Sequence, residues 1–127
     1  MKTTKILLFL LALFIFNSCS DEEAQNAIYY VKYEVVSENG GNSMKQKVSF
    51  TTTDGGTQDV TLGWASKHNY SVSQGPFANG TTVKLSVSHA IFNSLSIYVS
   101  KGSEPFVMKA HSEGNNVYGL SYTIDME

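Results

Sequence analysis

Arginine is absent from this 127-residue chain, and all nine of its basic residues are lysines. Without a guanidinium there is no forked, bidentate grip on phosphate or carboxylate. No basic run stands in for it, so nucleic acid is not an expected partner. The formal charge is −2, and the first 18 residues hold two lysines and no acid. Removing them with Lys2 and Lys5 would leave about −4. Cysteine occurs once, at Cys19, which excludes an intramolecular disulfide. A domain of roughly a hundred residues buries enough surface to stand without disulfide or metal. No Gly-x-Ser-x-Gly elbow occurs. The longest apolar run, 6–16, has eleven residues, well short of the ~20 needed to span a bilayer.

That run is nonetheless informative. Two lysines precede it and Asn17-Ser18-Cys19 follows it, the layout of a secretory signal. Phe16-Asn17-Ser18-Cys19 resembles a bacterial lipobox, with Ser18 as the small residue before the cut and Phe16 where leucine is usual. The resemblance implies that 1–18 are a lipoprotein signal peptide. It also implies that Cys19 becomes the new terminus carrying acyl chains such as palmitate, an effectively permanent anchor. Residues 19–27 then form an acidic, flexible tether. Asp21, Glu22 and Glu23 have two readings, a solvated spacer or an export signal directing the protein to the cell surface. The expected address is the outer membrane, facing outward, with its periplasmic face as the alternative. The eight residues of 20–27 reach at most about 26–29 Å, keeping the domain near its membrane.

From residue 28 the pattern has period two, punctuated by Gly, Asn and Ser every eight to twelve residues. This predicts an all-β domain over 28–127, an immunoglobulin-like antiparallel β-sandwich of about 7–8 strands. Val31, Tyr33 and Val35 share a face, as do Val48 with Phe50, and Val83, Leu85 and Val87. Val60, Leu62 and Trp64 form another stripe, which places Trp64 in the core. Leu95, Ile97 and Val99 alternate with serines; Phe106, Met108 and Ala110 share a side; Tyr118, Leu120, Tyr122 and Ile124 close the series. A weaker strand covers 69–73, and longer loops cover 37–43 and 74–80. Asp54-Gly55-Gly56, Lys101-Gly102 and Gly114-Asn115-Asn116 read as hairpins.

Tyr33-Glu34-Val35, Val48-Ser49-Phe50-Thr51, Asp54-Gly55-Gly56, Leu62-Gly63-Trp64, Ser96-Ile97-Tyr98-Val99 and Gly102 resemble the MmpS type of small membrane-anchored accessory protein. The resemblance implies an immunoglobulin-like sandwich working beside lipid exporters. A lipobox stands here in place of a transmembrane helix, and paired cysteines are lacking.

Candidate chemistry is sparse. His68 reads as a loop residue, His89 as inward-facing and His111 as outward-facing, so no shared metal site is expected, and no cofactor is implied. Tyr29, Tyr30 and Tyr98, with Pro76 and Phe77, form the candidate binding surface, set against the plainer reading of tyrosine as an ordinary strand former. Ile91-Phe92 either caps the sandwich or forms a contact tip. The expected role is a non-enzymatic binding or accessory module, held to the membrane through Cys19 and meeting a protein or glycan partner. The alternatives are an adhesin, or an inhibitor of a host or competitor enzyme acting through the loop at 74–80.

Overall fold

The computed structural model describes residues 27–125. Eight strands follow in chain order: β1 (Ile28–Glu38), β2 (Met44–Thr51), β3 (Thr57–Ala65), β4 (Lys67–Ala78), β5 (Thr82–Val87), β6 (Phe92–Lys101), β7 (Val107–Asn115) and β8 (Gly119–Thr123). They form two antiparallel sheets of four, ordered β4-β1-β6-β7 and β3-β2-β5-β8. The expected sandwich is therefore present. Its wiring is a separate matter, because periodicity carries no information on strand order. In an immunoglobulin constant domain the first two strands are neighbours; here β1 lies between β4 and β6.

Alternation explains the core. The inward residues of β1, β2, β5 and β6 are almost wholly buried, among them Val31, Tyr33, Val48, Phe50, Leu85 and Ile97. Such one-sided strands bury their apolar face only by packing sheet on sheet. The Tyr33 and Phe50 rings meet at 5.3 Å between centroids. The Tyr33 hydroxyl donates to the Thr51 carbonyl at 2.9 Å, and burial pushes its phenol well above the ordinary range.

Three of the four edge strands carry a bulge. Tyr29 pairs with Phe77 and Val31 with Gln74, so Gly75-Pro76 in β4 stand opposite Tyr30 alone. Gly63-Trp64 in β3 stand opposite Lys45 in the same way, and Lys109 is the extra residue of β7. The fourth edge, β8, has five residues. Bulges and short strands blunt a sheet edge against pairing with another chain.

The bulges account for several departures from the expected pattern. Segment 74–80 is not one loop, because β4 continues through Gly75-Pro76 to Ala78 and is the longest strand. Met108 pairs with Tyr98 and Ala110 with Ile97, so Lys109 throws those two side chains onto opposite faces. Lys101-Gly102 does begin the β6–β7 hairpin, but the turn at Gly114-Asn115-Asn116 passes between sheets, since β7 and β8 belong to different ones.

The two poles of the sandwich have distinct contents. Strand β1 starts where Gly102 donates to the Ile28 carbonyl, beside the ends of β4 and β6. Ala27 and Asp125, the two ends of the described chain, are both at this entry pole. The far pole gathers the β1–β2, β3–β4, β5–β6 and β7–β8 connections. Eleven strand residues separate the poles along β1, about 35 Å.

Candidate functional site

The far pole is built on a buried polar cluster. Ser37, Gln46 and Asn93 occupy inward positions and are almost wholly buried. The Ser37 hydroxyl donates to Asn93 Oδ1 at 2.6 Å, and Gln46 Nε2 donates to Ser37 Oγ and to the His89 carbonyl. Gln46 Oε1 accepts from the Ser88 and His89 backbone amides. Asn93 Nδ2 donates to the carbonyls of His89 and Val117. Among the described residues no buried side-chain polar atom lacks a partner, the condition under which such a network stabilises a fold. Its acceptors and donors lie in the β5–β6 and β7–β8 connections, so the network fixes both loops.

Those loops carry large apolar side chains that the core leaves outside. Ile91 is 54% exposed and Tyr118 44%. Gly40, at φ +58°, lets the β1–β2 loop approach Ile91 so closely that a Cβ there would lie 3.1 Å from Ile91 Cδ1. Between these loops and β2 and β3 lies a recess of about 620 Å³, with Met44, Lys45, Trp64, Ile91 and Tyr118 among its walls.

Trp64 contradicts its expected place in the core, being 70% exposed. Strict alternation would set it beside Val60 and Leu62. The extra residue of the Gly63-Trp64 bulge reverses the side and aims the indole outward, with the Lys45 ammonium 5.7 Å from its ring centroid. His68 holds this bulge. It lies in β4, buried, not in a loop, with Nε2 2.7 Å from the Gly63 carbonyl. A carbonyl only accepts, so Nε2 carries the hydrogen. Lys67 pairs with Glu38 at this pole, at 3.3 Å, and Lys47 with Asp59 further along the outer face of β2 and β3, at 3.4 Å. The Ser49 hydroxyl, then Lys47, hold the Asp59 carboxyl below its usual range.

The other expected site residues are dispersed. Tyr29 is 5% exposed and Phe77 4%; both belong to the core, which corrects their place on a contact surface. Tyr29 continues the inward stripe of Val31, Tyr33 and Val35, and the β4 bulge turns Phe77 inward to pair with it. Pro76 is exposed, while Tyr30 and Tyr98 are half-buried on the outer face of the β4-β1-β6-β7 sheet. There Lys32 Nζ lies over the Tyr98 ring at 4.4 Å and the Phe106 ring at 5.4 Å. A hydrogen bond to Glu34, then burial, hold the Tyr98 phenol above its usual range. His89 is exposed, not inward, because the chain leaves β5 after Val87 and gives its amide to Gln46. His111 points outward as expected, its Nδ1 2.8 Å from Ser96 Oγ. Among the described residues no group of three His, Cys, Asp or Glu side chains is placed to hold a metal. Cys19, Asp21, Glu22 and Glu23 lie outside the described residues.

Ser37, Gln46 and Asn93 had a signal in the sequence. Each is a polar residue at an inward position of its alternation, Ser37 near the end of β1 and Gln46 and Asn93 near the starts of β2 and β6. The chain matches no protein-family model, and no curated protein is similar to it.

Proposed function

We propose that this is an exported, lipid-anchored, non-enzymatic binding module that meets a protein partner through its far pole. The observation that carries the reading is the exposed cluster of Trp64, Ile91 and Tyr118 on a rigid polar base. Apolar side chains held outside by a bulge and two pinned loops form a contact surface that pays little ordering entropy on binding. Trp and Tyr are the residue types that dominate interface energetics. With a lipid on Cys19 the domain hangs from its entry pole, and the far pole faces away from the anchoring membrane. The blunted edges disfavour strand addition, which leaves side-chain contact as the mode of recognition. Lys45, resting on Trp64, favours a partner that sets a carboxylate beside its apolar patch. A role beside a transport or surface assembly, as in the MmpS-type proteins, is compatible with this geometry. The inhibitor reading loses its carrier, since 74–78 belong to β4.

The test is site-specific photo-crosslinking in the original host, with the crosslinker at position 91 or 118 of the full chain, or at Ser86 on the outer face of β5. A discrete protein adduct is expected from 91 and 118, absent from 86, and lost when Trp64→Ala is added. Adducts from all three positions alike, or from none, would sink the proposal. Cys19→Ser should leave the fold intact and release the protein from the membrane fraction.

A further inference from the structure

The outer face of the β4-β1-β6-β7 sheet, remote from the far-pole cluster, holds a second arrangement that the protein-binding reading does not use. Near the entry pole it has an open recess of about 470 Å³. Two aromatic rings, Tyr30 and Phe106, stand in its wall. Tyr30 lies against Gly75, where an added Cβ would come within 2.3 Å of Tyr30 Cδ1; only glycine leaves room for the ring. Phe106, 38% exposed, has the Lys32 ammonium 5.4 Å from its ring centroid, and the same ammonium lies over Tyr98. Beside the rings, the wall draws on Ser73, Gln74, Ser100, Ser103 and Glu104, residues with polar side chains, and on Gly75 and Gly102. The Ser100 hydroxyl donates to the Glu104 carbonyl and ties the β6–β7 turn to the sheet.

Each feature narrows the ligand class. Aromatic ring faces favour a ligand with a flat apolar side. Hydroxyl, amide and carboxylate groups around them call for a ligand rich in donors and acceptors. Glu104 is among the residues that line the recess and no lysine is, so the wall disfavours an anionic ligand. No aliphatic side chain of this chain lines the recess, so it offers no pocket for an apolar peptide side chain. A pyranose ring meets all these conditions, with C–H groups on one face and hydroxyls around its rim. Further along the same face lies a second recess, whose lining includes Tyr98, Ser71, Ser94, Asn69 and His111 together with Glu34 and Met108. Serines, an asparagine and aromatic rings recur there. We propose that this sheet face binds a neutral glycan chain, with Tyr30 and Phe106 as stacking platforms and the strand hydroxyls as its polar contacts.

The test uses the lipidated full chain in detergent micelles against an array of neutral oligosaccharides spanning glucose, galactose, mannose and xylose linkages, followed by calorimetric titration with those retained. Binding to at least one neutral oligosaccharide is expected, improving with chain length. Phe106→Ala removes an exposed ring and should weaken it about tenfold while leaving thermal unfolding unchanged. Trp64→Ala, at the other pole, should bind sugar as wild type does. The crosslinking pattern of the far pole should be unaffected by Phe106→Ala, so the two sites fail or stand separately. No retention of any neutral sugar overturns the proposal. So does equal affinity in Phe106→Ala, or loss of affinity in Trp64→Ala.

Discussion

The entry pole and the far pole close the same sandwich with opposite chemistry. At the entry pole Tyr29, Phe77, Val99 and Ile124 fill the space between the sheets, and hydrophobic burial seals it. At the far pole Ser37, Gln46 and Asn93 take the equivalent inward places, and hydrogen bonds to loop backbone seal it. An apolar plug is non-directional: it excludes water but does not fix a loop's position. An amide plug is directional, and each of its bonds names a particular carbonyl or amide. The far pole therefore spends its inward positions on holding loops, which frees Ile91 and Tyr118 to stand outside. Polar groups inside and apolar groups outside are two halves of one device.

This difference can be attacked directly. The largest effect should follow Phe77→Ala at the entry pole, which deletes a buried ring and leaves a cavity. A loss of about 3–5 kcal/mol is expected, read as a lower denaturant midpoint with an unchanged slope. Gln46→Leu at the far pole should cost less, about 2 kcal/mol. The volume is kept, but the Ser88 and His89 amides lose their acceptor and the His89 carbonyl keeps only Asn93 Nδ2. Its signature should be local: amide exchange at 88–91 should quicken more than exchange in the β5 and β6 centres. A neutral Gln46→Leu, with the loop as protected as before, would show that the polar plug is dispensable and the contrast between the poles empty.

Alternation made most of the fold legible. It fails at bulges, because one inserted residue reverses every side chain beyond it. Counting from Val60 and Leu62 places Trp64 in the core, and Gly63 is the one local hint that the count breaks. The same failure separated Met108 from Ala110 and turned Gln74, Pro76 and Phe77 from a loop into a strand. Tyr29 is a different case: it lies two residues before Val31, so the inward stripe already contained it. Strand order was not legible, since β1 joins β4 and β6 through contacts tens of residues apart that no local pattern records. Ser37, Gln46 and Asn93 were legible one at a time as inward polar residues, but their meeting at one pole depends on that same long-range pairing.

The smallest effect on stability should come from Trp64→Ala, and its smallness is what distinguishes a contact residue from a structural one. A buried tryptophan truncated to alanine costs about 3–5 kcal/mol. Trp64 is 70% exposed, so most of its surface is in water whether the chain is folded or not. Its one ring contact of note, the Lys45 ammonium at 5.7 Å, is an exposed cation–π pair worth about 0.5–1 kcal/mol at most. The bulge that aims it outward is held by backbone: the Gly63 carbonyl on His68 Nε2 survives the substitution. The expected change is therefore within about 0.5–1 kcal/mol, measured as the shift in denaturant midpoint beside Phe77→Ala under the same conditions. Crosslinking at 91 and 118 should vanish in the same variant. A destabilisation above about 2 kcal/mol would mean that the indole is packed in solution, making it a structural residue after all. A stable variant that still crosslinks as wild type would leave the fold account standing and remove Trp64 from the contact surface.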